Sequence, residues 1–277
     1  MTEPEASWLN LGPGRFRLLR WPGAEDRPVL FLHGLTAVAD VWGPTIEALG
    51  GERPDCFAFD QRGHGQSHPA GGYGIAAYVN DVVETLDALG LEAADIVGHS
   101  MGARVALVMA ARRPERVRSV AIVDIGPEQW RANWTSTWDA LDAMPRRFAG
   151  RDEALAFAGS RTRNSPIGTG MFLARLRQDA AGGLTWRADI DALKATVKSH
   201  RSRNFWHEWS AIDAPALLVR GGTSHELRTS IFERMMAKNP KVGVREIPGV
   251  GHNIPLIAPD KLASELRSFW SEVPSFA

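Results

Sequence analysis

A serine between two glycines is the residue of this chain best suited to chemistry. Residues 98–102 read GHSMG, which fits the pattern G-x-S-x-G. An apolar, strand-like run at 94–97 precedes them, and a helix-like run at 103–113 follows and is closed by Pro114. A strand, a sharp turn and a helix are the context in which Ser100 would stand exposed as a nucleophile. The glycines would leave room for a strained turn, and the helix N-terminus would favour developing negative charge.

A histidine near the C-terminal end is the predicted base. A serine hydroxyl is a weak acid and needs a base that takes its proton as it attacks. We assign this role to His252, in the loop GHNIP at 251–255, which would later act as the acid for the leaving group. His33 is predicted to shape a His-Gly loop or to line a substrate pocket, His64 to stabilise its own turn, and His99 to face away from proton transfer. The remaining histidines lie in no motif: His68, His200, His207 and His225.

Four motifs, taken in order, resemble those of the α/β-hydrolase family. They are LFLHGL at 30–35, DQRGHGQS at 60–67, the serine turn, and GVGHNIP at 249–255. The resemblance extends over about residues 28–270, and the order serine, acid, histidine is one that the family uses. It implies an α/β fold with a mostly parallel central sheet flanked by helices and with an inserted helical cap. Within the family, the chain looks most like serine carboxylesterases and lactonases.

Two residues are alternatives for the acid that would orient His252. In much of the family this acid follows the last strand but one in a Gly-x-x-Asp pattern, but here Ser224 stands where the aspartate would be. Some branches carry the acid at an earlier strand end, in a context similar to that of Asp124, which is followed by Ile-Gly-Pro. Glu226 lies two residues beyond the usual place, and its longer side chain could compensate. We prefer Asp124 and keep Glu226 as the alternative.

The backbone N–H groups of Leu35 and Met101 are the predicted oxyanion hole. In this family one donor follows the nucleophile and the other lies in the loop after the His-Gly pair. Such donors stabilise the charge of the tetrahedral intermediate. The 60–67 loop is expected to support the site, and Arg62 to form a structural ion pair with Asp60 or another acid in preference to binding a substrate carboxylate.

Apolar, strand-like runs alternate with helix-like segments, a pattern typical of βα units and a parallel sheet. Strands are predicted near residues 15–21, 29–32, 56–59, 94–97, 117–124, 216–220 and 242–247, and helices near 40–49, 75–89, 101–113, 231–238 and 260–271. The alternation is interrupted between Asp124 and Pro215, where the pattern is helical and no good strand is found. A structureless loop of this length is improbable, so we predict a helical cap. The predicted domains are residues 1–124 with 215–277 for the α/β core, and residues 125–214 for the cap.

The cap segment is rich in tryptophan. It holds six of the ten tryptophans of the chain, and Trp130, Trp134 and Trp138 are spaced to share one helical face. They are expected either to pack within the cap or to line an apolar substrate pocket, and both roles can hold at once.

Composition excludes several classes of protein. Lys plus Arg equals Asp plus Glu at 32 each, so no net field attracts nucleic acid or an anionic membrane. No apolar run reaches the length of a membrane span, and residues 1–7 lack the features of a signal peptide. The lone Cys56 is expected to be a buried thiol, which together with these features favours a cytoplasmic location. No metal or cofactor motif is present, so none is predicted.

These residues predict a metal-free serine hydrolase that cleaves carboxylic esters through an acyl-enzyme intermediate. Its expected partner is a small-molecule ester or lactone. The same groups could hydrolyse a lactone or a carbon–carbon bond beside a ketone, or form a peroxyacid when peroxide replaces water. A ligand-binding receptor with little turnover is an alternative from a different class, since such receptors can share the fold and the triad.

Overall fold

The computed structural model describes residues 3–273 except 69–70, 129–130, 163–165 and 202. These residues form an eight-stranded sheet and a three-stranded sheet, with helices around them. The strands are β1 (Glu5–Leu11), β2 (Gly14–Trp21), β3 (Glu25–Leu32), β4 (Pro54–Phe59), β5 (Ala94–His99), β6 (Val117–Val123), β7 (Arg147–Phe148), β8 (Leu176–Gln178), β9 (Leu184–Trp186), β10 (Ala216–Gly221) and β11 (Gly243–Ile247). The helices are α1 (Gly43–Ala48), α2 (Ile75–Ala88), α3 (Met101–Arg112), α4 (Arg131–Asp142), α5 (Arg151–Thr162), α6 (Pro166–Ala174), α7 (Ile190–Arg201), α8 (Trp206–Ala211), α9 (Thr229–Lys238), α10 (Ile254–Ile257) and α11 (Pro259–Glu272). Short 3-10 helices cover Ala39–Trp42 and Pro114–Arg116.

The large sheet confirms the predicted α/β architecture. Its strand order is β1-β2-β4-β3-β5-β6-β10-β11, and all pairs from β4 to β11 are parallel. Strands β4, β5, β6 and β10 are buried on almost every residue, which explains why they read as continuous apolar runs in the sequence. Parallel strands end at the same edge, so the loops after β3, β5, β6, β10 and β11 lie side by side.

Helices cover both faces of this sheet. One core cluster joins the sheet to apolar residues of α2, α3, α8 and α9, and a second joins the opposite face to α1, α10 and α11. Both clusters are built from side chains with almost no exposed surface, as expected for the close-packed core of a single sheet. The sheet edge that carries the loops is thereby held rigidly.

Strand β1 was not predicted from the sequence. It pairs with β2 in an antiparallel hairpin, from Glu5 opposite Arg20 to Leu11 opposite Gly14. Most of its residues are exposed because it is an edge strand, so its sequence carries no long apolar run. The Gly-Pro-Gly turn at residues 12–14 is the signal that could have found it.

Residues 125–214 contain α4 to α8 and also the small antiparallel sheet β7-β9-β8. The prediction that this segment lacks strands was therefore wrong. Strands of two or three residues are too short to show an alternating pattern, and their stability comes from a buried aromatic cluster around Phe148, Phe172 and Trp186. The hairpin between β8 and β9 is closed by Asp179, whose Oδ1 accepts the N–H groups of Ala181 and Gly183.

The cap segment packs against the core through several of its helices. Helix α7 carries Leu193 and Val197, which form a buried cluster with Leu141 of α4, and Leu35 of the core packs against it. Helix α8 packs on α3, and its Trp209 is fully buried in the core cluster. No described helix is both long and apolar enough to cross a membrane.

Candidate active site

Ser100 occupies a strained turn between β5 and α3. Its backbone has φ 55° and ψ −116°, outside the helical and extended regions. The flanking glycines are required by close packing, because a Cβ on Gly98 would lie 2.4 Å from the Gly102 oxygen and one on Gly102 would lie 2.2 Å from the Leu32 oxygen. The turn therefore raises Ser100 above the sheet edge at the N-terminus of α3, as the sequence pattern predicts.

His252 lies on the loop between β11 and α10 and reaches the serine. Its Nε2 is 3.0 Å from the Ser100 Oγ, a hydrogen-bond distance. Its backbone oxygen accepts a hydrogen bond of 2.8 Å from the Nε2 of His99. Burial, followed by the charge of His252, lowers the pKa of His99 to about 3, so His99 is a neutral donor that holds the His252 loop in place.

Asp124 completes the contact chain at the end of β6. It has φ 55° and is fully buried, and its Oδ2 lies 2.7 Å from the Nδ1 of His252. Its Oδ1 accepts the backbone N–H of Gly221 at 2.8 Å. Both ring nitrogens of His252 are occupied, Nδ1 by Asp124 and Nε2 by Ser100, so the alternative acid Glu226 is not the partner of this ring. The structure thus brings together the preferred three residues.

Ser224 is a residue of this site whose contact the sequence did not predict. Its hydroxyl donates to the Oδ2 of Asp124 at 2.5 Å, so this oxygen receives both Ser224 and His252. The same hydroxyl accepts the backbone N–H groups of Glu226 and Leu227. The departure from Gly-x-x-Asp was the available signal: where the acid moves to the end of β6, a small polar residue at the vacated position can bind it.

The predicted oxyanion donors have free N–H groups. Neither Leu35 nor Met101 uses its backbone N–H in a hydrogen bond to any described residue. Met101 is the first residue of α3, where N–H groups have no partner within the helix. A Cβ atom added at Gly34 would lie 3.1 Å from the Ser100 Cβ, so the loop that carries Leu35 passes directly beside the serine.

His33 supports this loop and does not line a pocket surface. The ring is fully buried, its Nδ1 is 2.8 Å from the Gly34 oxygen, and its Nε2 accepts the backbone N–H of Gln61. Burial lowers its pKa to about 4, so the ring is neutral. The prediction of His33 as a pocket residue is therefore corrected, and the alternative reading, that it shapes the loop, agrees with its contacts.

The 60–67 loop is fixed by ion pairs and buried polar contacts. Arg62 forms a bidentate pair with Asp81 of α2 and not with Asp60. Asp60 accepts the backbone N–H groups of Ala39 and Gln66, and burial raises the pKa of its carboxyl. The Nδ1 of His64 binds the Arg62 oxygen, which agrees with the predicted stabilisation of the turn. This loop is a support for the site.

The tryptophans of the cap segment differ in their surroundings. Trp130 and the side chain of Trp134 lie outside the described residues. Trp138 packs at the edge of the Leu141 cluster, with the ammonium of Lys194 5.3 Å from its ring centre. Trp186 and Trp209 are buried within the protein's own packing. For these last two, packing is the observed role, whereas the pocket role of the first three stays a prediction.

The serine, histidine and aspartate of the site form a donor set that suits proton transfer. Across the described residues, no group of three or more histidine, cysteine, aspartate or glutamate side chains is arranged to hold a metal ion. The lone Cys56 is buried in β4, as predicted.

Comparison with known proteins places this geometry among hydrolases. A family model described as the alpha/beta hydrolase fold matches residues 27–259. The 2-(acetamidomethylene)succinate hydrolase of Mesorhizobium japonicum is 29% identical over 254 residues, which cover 87% of each chain. Esterase YbfF of Escherichia coli is 25% identical, covering 89% of this chain and 94% of its own. A crystal structure of E-2-(acetamidomethylene)succinate hydrolase superposes with a TM-score of 0.89 at 24% identity, covering 97% of this chain and 99% of that one.

Proposed function

The chain belongs to the α/β-hydrolase family and is a hydrolase, and we propose that it cleaves carboxylic esters with Ser100 as nucleophile. One observation carries this proposal: the unbroken contact from the Ser100 Oγ through the His252 ring to the Asp124 Oδ2, with links of 3.0 and 2.7 Å. A serine, a histidine and a buried carboxylate in this arrangement are the groups that acyl transfer requires.

The proposed reaction has two halves. The Ser100 oxygen attacks the ester carbonyl while the Nε2 of His252 takes its proton, and the carbonyl oxygen becomes an oxyanion facing the N–H groups of Leu35 and Met101. Collapse of this intermediate breaks the bond to the alcohol, which leaves with the proton from His252. A water molecule then repeats the sequence on the acyl-enzyme and releases the acid and the free serine.

We also propose a division of labour between the two parts of the chain. Residues 1–124 and 215–277 would carry the catalytic groups, and the cap at 125–214 would cover them and select substrates. The packing of Leu35 against Leu193 and Val197 of α7 supports this, because it joins the cap to the oxyanion loop. Because α8 packs on α3, the last residues of the cap segment are in direct contact with the core.

Replacement of the nucleophile tests the proposed function. Ser100→Ala should lower kcat on 4-nitrophenyl butyrate by about four to six orders of magnitude, because the acyl-enzyme can no longer form. The wild type should also give a pre-steady-state burst of about one 4-nitrophenol per chain. Ser264→Ala, at an exposed position of α11, is the matched control and should keep full activity. Unchanged hydrolysis by Ser100→Ala would refute the proposal.

Covalent labelling and a wider set of substrates separate the alternative functions. Labelling with an organophosphate followed by peptide mapping should place the adduct on the Ser100 oxygen. Acylation without steady-state turnover would favour the ligand-binding receptor. Faster cleavage of lactones, or of diketones at a carbon–carbon bond, would keep the mechanism of the first half and change the substrate class.

A further inference from the structure

The segment at residues 221–224, directly after β10, lies against the loop that carries the candidate base. A Cβ atom added at Gly221 would lie 2.7 Å from the Val250 oxygen, so the two backbones are in close contact two residues before His252. The backbone N–H of Thr223 donates to the same Val250 oxygen at 3.0 Å. The segment and the base loop are therefore joined side by side.

The other side of this segment holds the candidate acid, Asp124. The backbone N–H of Asp124 donates to the Val219 oxygen at 2.8 Å, and the N–H of Gly221 donates to the Asp124 Oδ1 at 2.8 Å. These two bonds continue the pairing of β6 with β10 by one residue beyond the end of β6. They fix the backbone and one carboxylate oxygen, and they leave the second oxygen, Oδ2, to be oriented by side chains.

The hydroxyl of Ser224 makes one of these side-chain contacts, and its direction is determined by its neighbours. Ser224 is buried, and its backbone N–H closes a turn on the Gly221 oxygen at 2.8 Å. Its hydroxyl oxygen accepts the backbone N–H groups of Glu226 and Leu227, at 3.2 and 3.4 Å. A hydroxyl has two lone pairs and one proton, so with both lone pairs engaged only the proton is left to give. That proton is donated to the Oδ2 of Asp124.

The same oxygen is the partner of the candidate base. The Nδ1 of His252 lies 2.7 Å from Oδ2, which therefore receives a hydroxyl and a ring N–H together. Asp124 is fully buried, so bulk water does not reach the carboxylate to replace a lost donor. Without the Ser224 bond, Oδ2 would be held by His252 alone and the carboxylate would be free to rotate about its bond to the Cβ.

We propose that Ser224 is a positioning residue, whose hydroxyl holds the Asp124 carboxylate in the orientation in which Oδ2 accepts the Nδ1 proton of His252. Its hydrogen bonds reach neither Ser100 nor the His252 ring, so it acts through Asp124. Its bond to the carboxylate also stabilises the negative charge that balances the imidazolium formed during proton transfer. The inference rests on the proposed ester hydrolysis and adds a residue to the support of its acid.

A double-mutant cycle with Asp124 tests this proposal. Ser224→Ala should lower kcat on 4-nitrophenyl butyrate by about 10-fold and change KM by less than about twofold, because the acid is disturbed and substrate binding is not. Asp124→Asn removes the carboxylate that the hydroxyl orients, so adding Ser224→Ala to that variant should cost less than about twofold more. The same fold-loss in both backgrounds would mean that Ser224 supports the fold of its loop, and would overturn the positioning role.

Further variants separate the hydroxyl from the space that it fills. Ser224→Cys keeps the shape of the side chain but offers only a weak donor, so its kcat should fall to that of Ser224→Ala. Ser224→Thr keeps the hydroxyl and should recover most of the lost kcat. A Ser224→Thr protein with the Tm of the wild type and the kcat of Ser224→Ala would contradict the proposal. Ser230→Ala, at an exposed position in the first turn of α9, is the matched control and should keep the wild-type kcat.

A measurement on the resting protein keeps this inference apart from the proposed function. The proton between the His252 Nδ1 and the Asp124 Oδ2 should give a far-downfield proton NMR resonance that is absent in Asp124→Asn. In Ser224→Ala this resonance should shift or broaden, because Oδ2 has lost its second donor. An unchanged resonance or an unchanged kcat in Ser224→Ala would overturn the positioning role while ester hydrolysis stands. If the wild type turns over no ester, the hydrolysis proposal fails and the resonance alone decides: a shift supports the role of Ser224, and an unchanged position overturns it.

Discussion

At the scale of single residues, backbone strain is concentrated at the proposed catalytic groups. The described residues include three non-glycine positions with positive φ, namely Thr36 at 64°, Ser100 at 55° and Asp124 at 55°. They lie on the loops after β3, β5 and β6, at one edge of the sheet. Such backbone conformations are costly and persist where the surrounding packing enforces them. The strain therefore fixes the proposed oxyanion loop, nucleophile and acid relative to one another.

The sequence predicted the site residues unevenly, for a physical reason. Ser100 lies in a motif whose glycines are imposed by close packing, and the motif of His252 includes Gly249, whose φ of 72° favours glycine, so a few letters suffice to find both residues. The choice between Asp124 and Glu226 depends on which carboxylate reaches the His252 ring in space. The order of strands does not decide it, because β10, the strand before Glu226, is the direct neighbour of β11 and β6 is one strand further away.

Substitution of each candidate acid by its amide tests the assignment. Asp124→Asn should lower kcat by about 10³- to 10⁴-fold, since the amide cannot hold the His252 ring in the required tautomer or balance its charge. Glu226→Gln is the matched control and should stay within about threefold of the wild type. Steady-state kinetics on one neutral ester is sufficient as the measurement. A large loss in Glu226→Gln with little change in Asp124→Asn would reverse the assignment.

At the scale of elements, the buried strands and long helices were found and the marginal ones were not. The runs predicted at 56–59, 94–97 and 216–220 fall within β4, β5 and β10, because strands buried on both faces are mostly apolar. Strands β1, β7, β8 and β9 were not predicted, because β1 is an edge strand and the other three are only two or three residues long. Their pairing depends on tertiary contacts, which a window along the sequence does not contain.

The contact between α7 and α2 joins the cap to the core and includes an unsatisfied group. The ring of His200 packs edge-on against Tyr78 with centroids 5.0 Å apart, and both of its nitrogens are buried without a hydrogen-bond partner in the described chain. The hydroxyl of Tyr78 is 2.7 Å from the Thr196 Oγ1, one turn earlier on α7. The Tyr78 hydroxyl is therefore hydrogen-bonded across this interface, whereas the buried nitrogens of His200 have no partner in the described chain.

Two substitutions at this interface should have opposite effects on stability. His200→Leu removes the unsatisfied nitrogens at similar volume and should raise the free energy of unfolding by about 1 kcal/mol. Tyr78→Phe removes the satisfied hydroxyl, leaves Thr196 with one partner fewer, and should lower it by about 1 kcal/mol. Urea denaturation of the two variants and the wild type provides the measurement. Destabilisation by His200→Leu would mean that the ring makes a polar contact essential to the interface.

At the scale of the whole molecule, the fold keeps several histidines neutral. Burial is the largest cause in each case and lowers the pKa of His33 to about 4 and of His64, His99 and His200 to about 3. Three of them lie in or beside the loops of the candidate site, and the fourth lies at the contact of cap and core. The integrity of the site and the stability of the molecule are thereby coupled to the same protonation equilibria.

As the pH is lowered, the protein should therefore begin to lose stability near pH 6.5, above the range in which carboxylates titrate. Each of these histidines has a folded-state pKa below its unfolded value of about 6.5, so between that value and about pH 4 the unfolded chain binds more protons than the folded one. The stabilisation is complete above pH 6.5 and falls as the pH is lowered through this window, by up to about 1.4 kcal/mol per histidine per pH unit. Urea unfolding at pH 7.5, 6.5 and 5.5 measures the slope.

His200→Leu should reduce this slope by about one quarter, because one of four such groups is removed. His207→Asn, an exposed position, should leave it unchanged. A free energy of unfolding that stays constant from pH 7.5 to 5.5 would show that these rings can take up protons in the folded state.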